Sequence, residues 1–345
     1  MDQIVTIAIA SYNNAPYIER CVDSVINQTY SELEILVVDD GSQDDTLRRL
    51  ENYNRETRLK IIKKENGGLS SVRQRALDEA KGNYICFIDA DDYLAPTYVE
   101  RMLGKLFADC SDICVCGTRF ENKEGIVLED WTSVFSCEES SAPFQTTPEV
   151  FLIPDNPQIK QLHLSDSWNK MYRVGFLRDS GVTFCMPQGM NGTDTLFNRL
   201  ISLHSPKYSS VNDELYIHVI YKSSAVHRKN KNLLRTYQII TEKAIEESKS
   251  LGIYEYALNN IIVNYHNNLL EVFIDEYKEC AHYQECSRRF IDLKKDNSLF
   301  VHKVENRLLK YEKGESLTML LFLFHLKYAT RVLPAIFKSL DLIKA

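Results

Sequence analysis

Short apolar runs alternate with segments of helical periodicity along the first 116 residues, and this alternation constrains the fold more than any other feature of the chain. The apolar runs have the length and the β-branched and aromatic content of buried strands, whereas the intervening segments repeat apolar residues at helical spacing. A strand-helix-strand series predicts an α/β fold with a mostly parallel central sheet and helices on both faces. We predict strands at 4–10, 33–38, 59–63, 84–88 and 112–116, and helices at 16–27, 43–54, 69–81 and 97–108.

Polar or acidic stretches follow three of these strands: SYNN the first, DDGSQDD the second and DADD the fourth. Ligands of parallel sheets bind beyond the carboxyl ends of the strands, so these stretches mark the candidate site. In DADD the carboxylates of Asp89, Asp91 and Asp92 repel one another unless a cation joins them. The D-x-D spacing fits Mg²⁺ or Mn²⁺, which take oxygen ligands, and the alternative is an acidic helix N-terminus.

Three further stretches have both a functional and a purely structural interpretation. Asp39 and Asp40 can accept a hydrogen bond from a ring N–H or hydroxyl of a ligand, or can belong to a turn that caps a helix. Tyr12, at a strand end, can stack on a nucleobase. The glycine pair of ENGGLSSVRQRAL leaves backbone N–H groups near Arg73, which favours a diphosphate ligand, although such a pair is most often only a turn.

Composition restricts the class of protein. A hydrophobic content of 44% and a charged content of 26% are ordinary for a globular chain and exclude collagen-like, disordered and disulfide-scaffold classes. The net charge of -7 argues against a general nucleic-acid binder, which needs a basic surface. The N-terminus has neither a cationic leader nor a small-residue cleavage site, so we expect a cytoplasmic protein.

The chain after the first sheet strands is less regular. The stretch 120–165 contains several prolines and predicts loops around one or two short elements. We expect a helix from Thr195 to His204, then two short strands, and helices from about residue 231 to the end. The predicted domains are a first domain at 1–230, with halves at 1–118 and 119–230, and a helical region at 231–345. The two short strands are predicted at 207–211 and 215–221.

The C-terminal stretch 301–345 is basic, with eight Lys or Arg against four Asp or Glu, and contains the apolar run LLFLF. That run is too short to span a bilayer. A basic, aromatic-rich amphipathic helix can lie on an anionic membrane surface, which would place the protein at the inner face of the cell membrane. The alternative is packing on the preceding helices or on a second subunit in a homo-oligomer, and both remain open.

The stretches SYN, SVINQTYSELEILVVDDGSQDDT, ENGGLSSVRQRAL and GNYICFIDADDYLAP, in this order, resemble glycosyltransferase family 2 enzymes with a GT-A nucleotide-diphospho-sugar fold. The resemblance covers roughly residues 3–110. It implies that Tyr12 stacks on the base, Asp40 binds the base edge and Arg73 contacts the diphosphate region. It further implies that Asp89 binds the ribose and Asp91 the metal, with Ala10 and Ala90 also beside the nucleotide sugar.

The resemblance extends less closely to the second half of the domain. WNKMYR is similar to an acceptor-side motif, which implies that Trp168 and Lys170 contact the acceptor or donor sugar. In QGMNGTDTLFNRL, Asp194 matches the general base of inverting transfer, and Thr193 replaces the usual Glu. Asp213 and Glu214 form an alternative pair. Asp92 is assigned to the sugar or, alternatively, to the cap of the following helix.

The basic run HRKNK occupies the position of a segment that in the family often closes over the diphosphate. The resemblance therefore implies that Arg228 and Lys229 contact the diphosphate and that His227 is a further metal ligand. The alternative is a solvated linker. We expect His218 to be structural.

The resemblance implies an inverting, metal-dependent transferase that uses Mn²⁺ or Mg²⁺ and a UDP-sugar donor. In the catalytic domain at 1–230, it implies a nucleotide-sugar half at 1–118 and an acceptor half at 119–230. The expected acceptor is a hydroxyl of a glycan or lipid-linked molecule in bacterial cell-surface polysaccharide synthesis. Three alternatives stay open: a glycoprotein acceptor, nucleotidyl transfer on the same fold, and a degenerate family member that acts as a partner or scaffold.

Overall fold

The computed structural model describes residues 3–134, 140–145, 165–221 and 232–257, together with residues 261 and 268. The chain divides into two compact units, Met1–Ile261 and Ile262–Ala345. All elements named below belong to the first unit. The basic stretch 301–345, with its predicted membrane or subunit contact, lies outside the described residues.

The first part of the sheet confirms the alternation predicted from the sequence. Four parallel strands lie in the order β3, β2, β1, β4, so that β1 is flanked by β2 and β4. The elements are β1 (Val5–Ser11), α1 (Ile18–Ile26), β2 (Leu33–Asp39), α2 (Thr46–Leu50) with a 3-10 turn (Glu51–Tyr53), β3 (Leu59–Lys63), α3 (Gly68–Glu79) and β4 (Tyr84–Asp89).

Alternate residues of the buried strands supply two hydrophobic cores, one on each face of the sheet. On β1, Ile7 and Ile9 belong to the core that includes α1, whereas Ala8 belongs to the core that includes α3. Side chains of a strand point alternately to its two faces, so an uninterrupted apolar run is stable only when both faces are covered. The runs of the sequence therefore require helices on both sides, as observed.

The second part of the sheet is mixed rather than parallel. The strand β8 lies antiparallel between β4 and β6, and β9 is parallel to β6. The short strands β5 and β7 pair antiparallel with β9. The remaining elements are β5 (Tyr93–Leu94), α4 (Tyr98–Asp109), β6 (Ile113–Asn122), α5 (Glu129–Val134), β7 (Phe144–Gln145), β8 (Lys170–Arg173), α6 (Val174–Ser180), α7 (Thr193–Leu203), β9 (Lys207–Ile220) and α8 (Leu233–Ser250).

The prediction of two short strands after residue 206 is wrong, because β9 is one strand from Lys207 to Ile220. The polar residues at 212–214 resemble a turn locally, but pairing with β6 continues across them. The register shifts at Gly117 of β6, where an added Cβ would lie 3.0 Å from the carbonyl oxygen of Asp213. A glycine at this irregularity lets the two backbones approach closely, so the strand bends instead of ending.

Helix α8 packs against α7 within the first compact unit. Its residues Ile239, Ile240 and Ala244 are buried in the same core as Phe197 of α7. The division of the chain near residue 230 stays a prediction, since residues 222–231 lie outside the described part. Among the described residues, no helix combines the length and the apolar character that crossing a membrane requires.

A substitution at Gly192, which precedes α7, would test the packing of α8 against α7. Its φ is +86°, and an added Cβ would lie 2.8 Å from Cγ2 of Thr236 on α8. We expect Gly192→Ala to lower the free energy of unfolding by about 2–5 kcal/mol in urea titrations. Left-handed strain accounts for roughly 1–2 kcal/mol of that loss, and overpacking against α8 for roughly 1–3 kcal/mol.

Gly189→Ala is the matched control, because Gly189 also has a positive φ (+77°) but has no atom within 4 Å of an added Cβ. It should lose only the strain component. Equal losses in the two variants would show that α8 does not constrain the start of α7.

Candidate functional site

The carboxyl ends of β2, β1 and β4 lie side by side and bring the three polar stretches together. Ser11 at the end of β1 is paired with Asp39, and Ala10 is paired with Asp89. Beyond the strand end, the N–H of Ala90 donates to the carbonyl oxygen of Ala10 at 3.1 Å. Ala90 is buried, so both alanines contribute mainly backbone to this edge of the sheet.

Side-chain hydrogen bonds join the loop after β1 to the loop after β2. The N–H of Asn13 donates to Oγ of Ser42 at 2.9 Å, and the N–H of Asn14 donates to Oγ1 of Thr46 at 2.9 Å. Asp44 accepts from the N–H groups of Ala15 and Thr46, each at 3.0 Å. Burial raises the pKa of Asp44, but hydrogen bonds from Thr46 and Ala15 outweigh it and leave the pKa below its ordinary value.

Tyr12 lies on this joined pair of loops and is 47% exposed. Its N–H donates to Oδ1 of Asn14 at 2.8 Å, which fixes the backbone from which the ring projects. An exposed aromatic ring on a fixed backbone is available for stacking on a planar ligand.

Asp40 is buried and holds the turn that begins α3. Its Oδ1 accepts from Nζ of Lys64 at 2.6 Å and from the N–H of Gly67 at 2.9 Å, and its Oδ2 accepts from the N–H of Gly68 at 2.8 Å. Gly68 has a φ of +80°, a conformation that favours glycine. The contact of Asp40 with a base edge stays a prediction. In the structure its carboxylate stabilises the turn before α3.

Arg73 contacts both Asp89, the predicted ribose ligand, and Asp194, the predicted general base. Its side chain is 1% exposed, Nη2 donates to Oδ1 of Asp89 at 2.8 Å, and Nη1 forms an ion pair with Oδ1 of Asp194. A buried guanidinium requires compensating negative charge, and it receives two carboxylates. The predicted diphosphate contact of Arg73 remains untested, whereas its pairing with Asp89 and Asp194 is explicit.

Asp194 lies in the first turn of α7, where a carboxylate also interacts favourably with the helix N-terminus. Its Oδ2 accepts from the N–H of Ser167 at 3.3 Å. The adjacent Thr193 is buried, and its Oγ1 lies 3.1 Å from Oγ of Ser70 on α3. The residue that replaces the expected Glu therefore faces α3 and makes a neutral hydroxyl contact.

Asp91 is the acid of the DADD stretch whose charge is least compensated. Burial, followed by the negative charges of Asp92 and Asp89, raises the pKa of Asp91 to about 7. The carbonyl oxygen of Asp91 accepts from Nη2 of Arg20 on α1 at 2.6 Å. Arg20 also donates to the hydroxyl of Tyr221 at 2.9 Å.

Asp92 does not cap the following helix, since α4 begins at Tyr98 after Thr97 at the N-cap. The side chain is fully buried and accepts from β9: from Tyr216 OH at 2.6 Å, from the N–H of Val219 at 2.9 Å, and at 2.8 Å from Nδ1 of His218. Burial lowers the pKa of His218, but the charge of Asp92 outweighs it and the pKa rises to about 9.

Trp168 and Lys170, predicted to contact a sugar, are buried. Trp168 is 8% exposed and packs against the rings of Tyr216 and His218, with centroid distances of 4.8 and 5.5 Å. Nζ of Lys170 donates to the carbonyl oxygen of Asp166 and, at 2.8 Å, to Oδ1 of Asn169. Their contact with a sugar stays a prediction, and in this arrangement both side chains support the site from within.

The structure describes the alternative acid Asp213 but not the basic run HRKNK. Asp213 lies inside β9, and its carboxylate accepts from Nε of Arg101 on α4 at 2.6 Å, so it belongs to a surface ion pair. His227, Arg228 and Lys229 lie outside the described residues, so their metal and diphosphate contacts stay predictions.

The residues at the end of β4 fit a divalent cation. Burial and then the neighbouring acids raise the pKa of the Asp91 carboxyl, and an added cation relieves the repulsion from those acids. Within the described residues, no group of three or more His, Cys, Asp or Glu is placed to hold a metal alone. Mg²⁺ and Mn²⁺ sites with one or two carboxylates complete their coordination with water and substrate phosphates, so a small donor set is compatible with them.

Sequence reasoning missed Arg20, Lys64 and Asp44 as parts of the site. Lys64 directly precedes ENGGLSSVRQRAL, whereas Asp44 lies within DDGSQDD, where an Asp two residues before Thr46 is a signal for a local side-chain to backbone bond. Arg20 has no local signal, since it lies on the surface of α1 and reaches Asp91 only through the packing of α1 beside β4.

The hydrogen bonds of Asp44 generate a stability prediction. Asp44→Ala should lower the free energy of unfolding by about 1–2 kcal/mol, because three hydrogen bonds are lost and water replaces part of them. Asp45→Ala is the control, since the exposed Asp45 pairs only with Arg48 three residues later. Asp45→Ala should change stability much less, and similar losses in the two variants would contradict the assigned role of Asp44.

The raised pKa of Asp91 generates a pH prediction for the protein in chelator. Because the folded-state pKa of about 7 exceeds the ordinary 3.8, the folded state binds more protons between these values, and stability falls as pH rises through this window. Asp91→Asn removes this dependence. The stability of the variant relative to the unmodified protein should therefore increase from pH 4 to pH 7 and stay constant above it, as measured by urea unfolding. A constant difference across the window would contradict the assignment.

Comparisons with known proteins agree with this arrangement. The family Glycosyl transferase family 2 matches residues 6–177. Over 264 residues the chain is 30% identical to EpsH of Bacillus subtilis (strain 168), and the alignment covers 75% of this chain and 74% of that protein. Over 338 residues it is 28% identical to the hyaluronan synthase of Pasteurella multocida, covering 89% of this chain but 34% of that longer protein.

Among solved structures, residues 1–349 of TarS from S. aureus in complex with UDP-GlcNAc align with a TM-score of 0.62 and 23% identity. The alignment covers 88% of this chain and 83% of that chain, and it supports the fold alone. The GT-A fold predicted from the sequence is thereby confirmed. The family match, the extent of the identity to EpsH and the shared fold lead to one conclusion: the chain belongs to glycosyl transferase family 2.

Proposed function

We propose that this protein transfers a sugar from a UDP-sugar to a hydroxyl of a glycan or lipid-linked acceptor, with inversion at the anomeric carbon, in bacterial cell-surface polysaccharide synthesis. The observation that supports this proposal most is the double ion pair of Arg73, which holds Asp89 and Asp194 on one guanidinium. The carboxylate expected beside the donor ribose and the carboxylate expected to accept a proton are therefore neighbours. A donor and an acceptor hydroxyl need this proximity to react.

Asp194 is the proposed general base. An acceptor hydroxyl has a high pKa, so a carboxylate must take its proton as the oxygen attacks the anomeric carbon. The bond between that carbon and the diphosphate breaks at the same time, and its electron pair leaves with UDP. Arg73 stabilises the negative charge that Asp194 needs before the reaction, and the Ser167 N–H orients the second oxygen.

Asp91 is the proposed protein ligand of Mn²⁺ or Mg²⁺. Such a cation, when bound, neutralises negative charge on the departing diphosphate. Asp91 supplies a half-buried carboxylate at the strand end, and Arg20 fixes the Asp91 backbone. His227, Arg228 and Lys229 are proposed to complete the cation and diphosphate contacts.

The donor is proposed to lie across the ends of β1, β2 and β4. Tyr12 offers an exposed ring for stacking on the base, and Asp40, whose N–H donates to the carbonyl oxygen of Ser11 at 2.9 Å, is proposed to bind a ring N–H of the base. Uracil carries such an N–H, and the structural relative TarS was solved with UDP-GlcNAc. These two points favour a UDP-sugar.

The acceptor is proposed to approach from the α7 side, where Asp194 is 16% exposed. The named relative that forms a glycan, hyaluronan synthase, supports a sugar-chain acceptor. Trp168 and Lys170 are proposed to shape that side from beneath, as their burial suggests, with the second half of the domain providing the surface.

Asp194→Asn tests the proposed reaction. With a panel of UDP-sugars and acceptor extracts, we expect the variant to lose about 100-fold or more of kcat, the usual contribution of a general base, while UDP still raises its melting temperature. Asp213→Asn is the control, because Asp213 is an acid of the same domain in a surface ion pair with Arg101. It should keep its kcat.

Product analysis separates the alternatives. Release of UDP supports sugar transfer, and release of pyrophosphate would support nucleotidyl transfer instead. Full activity of Asp194→Asn would refute the assigned base. Binding of UDP-sugars without turnover by any tested acceptor would favour a partner or scaffold role.

A further inference from the structure

We propose that Asp92, Tyr216 and His218 form a buried clamp that positions the turn 89–92. The clamp also connects this turn to Trp168, so that the donor and acceptor sides keep a fixed geometry. We call these three residues the Asp92 clamp. The inference deepens the proposed function, on which it rests for the roles of Asp91 and Asp194. It assigns to the last acid of DADD a positioning role instead of a contact with sugar.

The clamp holds the turn at both ends. The hydroxyl of Tyr216 accepts from the N–H of Asp89 at 3.3 Å and donates to Oδ2 of Asp92 at 2.6 Å. The other oxygen of Asp92 accepts from the N–H of Val219 at 2.9 Å. The hydroxyl of Tyr216 and the N–H of Val219 therefore fix Asp89 and Asp92, which flank Asp91 in the turn. The position of Asp91 follows from theirs.

Burial excludes a direct ligand role for the clamp in this arrangement. Asp92 and Tyr216 are both 0% exposed, and the oxygens of Asp92 receive three donors from β9. A carboxylate occupied in this way has no face open to a sugar or a cation. Its effect on the reaction must pass through the backbone of its neighbours.

The clamp continues through aromatic contacts to the other side of the site. The ring of His218 stacks on Trp168, with a centroid distance of 5.5 Å and an interplanar angle of 17°. Trp168 follows Ser167, whose N–H donates to the carboxylate of Asp194. A continuous path of packed and hydrogen-bonded groups therefore runs from Asp91 through Asp92, His218 and Trp168 to Asp194.

The sequence and the fold place these residues far apart along the chain but adjacent in space. Asp92 and His218 are separated by 126 positions. β9 reaches the turn because it pairs with β5, where Tyr93 lies opposite Ile217. The clamp thus depends on β9 remaining one continuous strand through residues 207–220, the feature that local sequence did not predict.

Tyr216→Phe is the decisive variant, because it removes one oxygen and keeps the ring that packs on Trp168. We measure binding of Mn²⁺ in the presence of UDP by the loss of the free Mn²⁺ signal in electron paramagnetic resonance. Groups that orient a metal ligand are typically worth 10- to 100-fold in affinity, so we expect at least about a tenfold loss. Asp92→Asn, which keeps shape but removes the charge, should show a loss in the same range.

Tyr208→Phe is the matched control. Tyr208 is a buried tyrosine of the same strand, but it lies against β6 and stacks on Phe144, away from the turn. It should bind Mn²⁺ with UDP as the unmodified protein does. A general effect of removing a buried hydroxyl would appear in Tyr208→Phe as well, and that result would overturn the proposal.

Steady-state kinetics give the second readout. We expect Tyr216→Phe to lower kcat at saturating donor and acceptor by at least about tenfold, because misplacement of Asp91 and Asp194 affects the reacting geometry and not only binding. Unchanged Mn²⁺ affinity and unchanged kcat in Tyr216→Phe, with a lower melting temperature, would reduce the clamp to a stabilising contact and overturn the inference.

The same measurements distinguish failure of the proposed function from failure of the Asp92 clamp. If the unmodified protein binds no Mn²⁺ with UDP and transfers no sugar, the proposed function fails. If the unmodified protein does both and Tyr216→Phe and Asp92→Asn do both equally well, only the clamp fails.

Discussion

The buried guanidinium of Arg73 is the interaction on which the arrangement of the site depends. A positive charge that is 1% exposed must be compensated, and the two carboxylates that compensate it come from β4 and α7. Asp89 and Asp194 are thereby drawn to one point although 105 positions separate them along the chain. The guanidinium offers Nη2 to Asp89 and Nη1 to Asp194, so the folded state favours the arrangement that also assembles the site.

The same requirement for compensation divides the acids of the DADD stretch. Asp89 is paired with Arg73, and Asp92 is paired with His218 and held by Tyr216 and Val219. Asp91 is left with a raised pKa because its surroundings are partly dry and, to a smaller extent, because its neighbours are negative. Of three similar acids, the one proposed to bind a cation is therefore the one whose charge the protein itself does not balance.

The sequence predicted the first sheet well and the later chain less well, for a physical reason. Strands β1, β2 and β4 are largely apolar on both faces, so their pattern is local and does not depend on the partner strand. In β9 the polar residues 212–214 interrupt the pattern, and only pairing with β6 shows that the strand continues. Arg20, on the exposed side of α1, carried no local signal for its bond to the backbone of Asp91.

The sequence by itself determined the α/β class and the three polar strand ends, because periodicity and short motifs are properties of neighbouring residues, and its family resemblance predicted Asp194 as the general base. Only the tertiary structure decided that Arg73 pairs with Asp89 and Asp194, that Asp92 faces β9, and that Trp168 is buried beneath the site. Those assignments depend on which distant groups share a buried space and must balance one another's charge and hydrogen bonds. No local pattern contains that information.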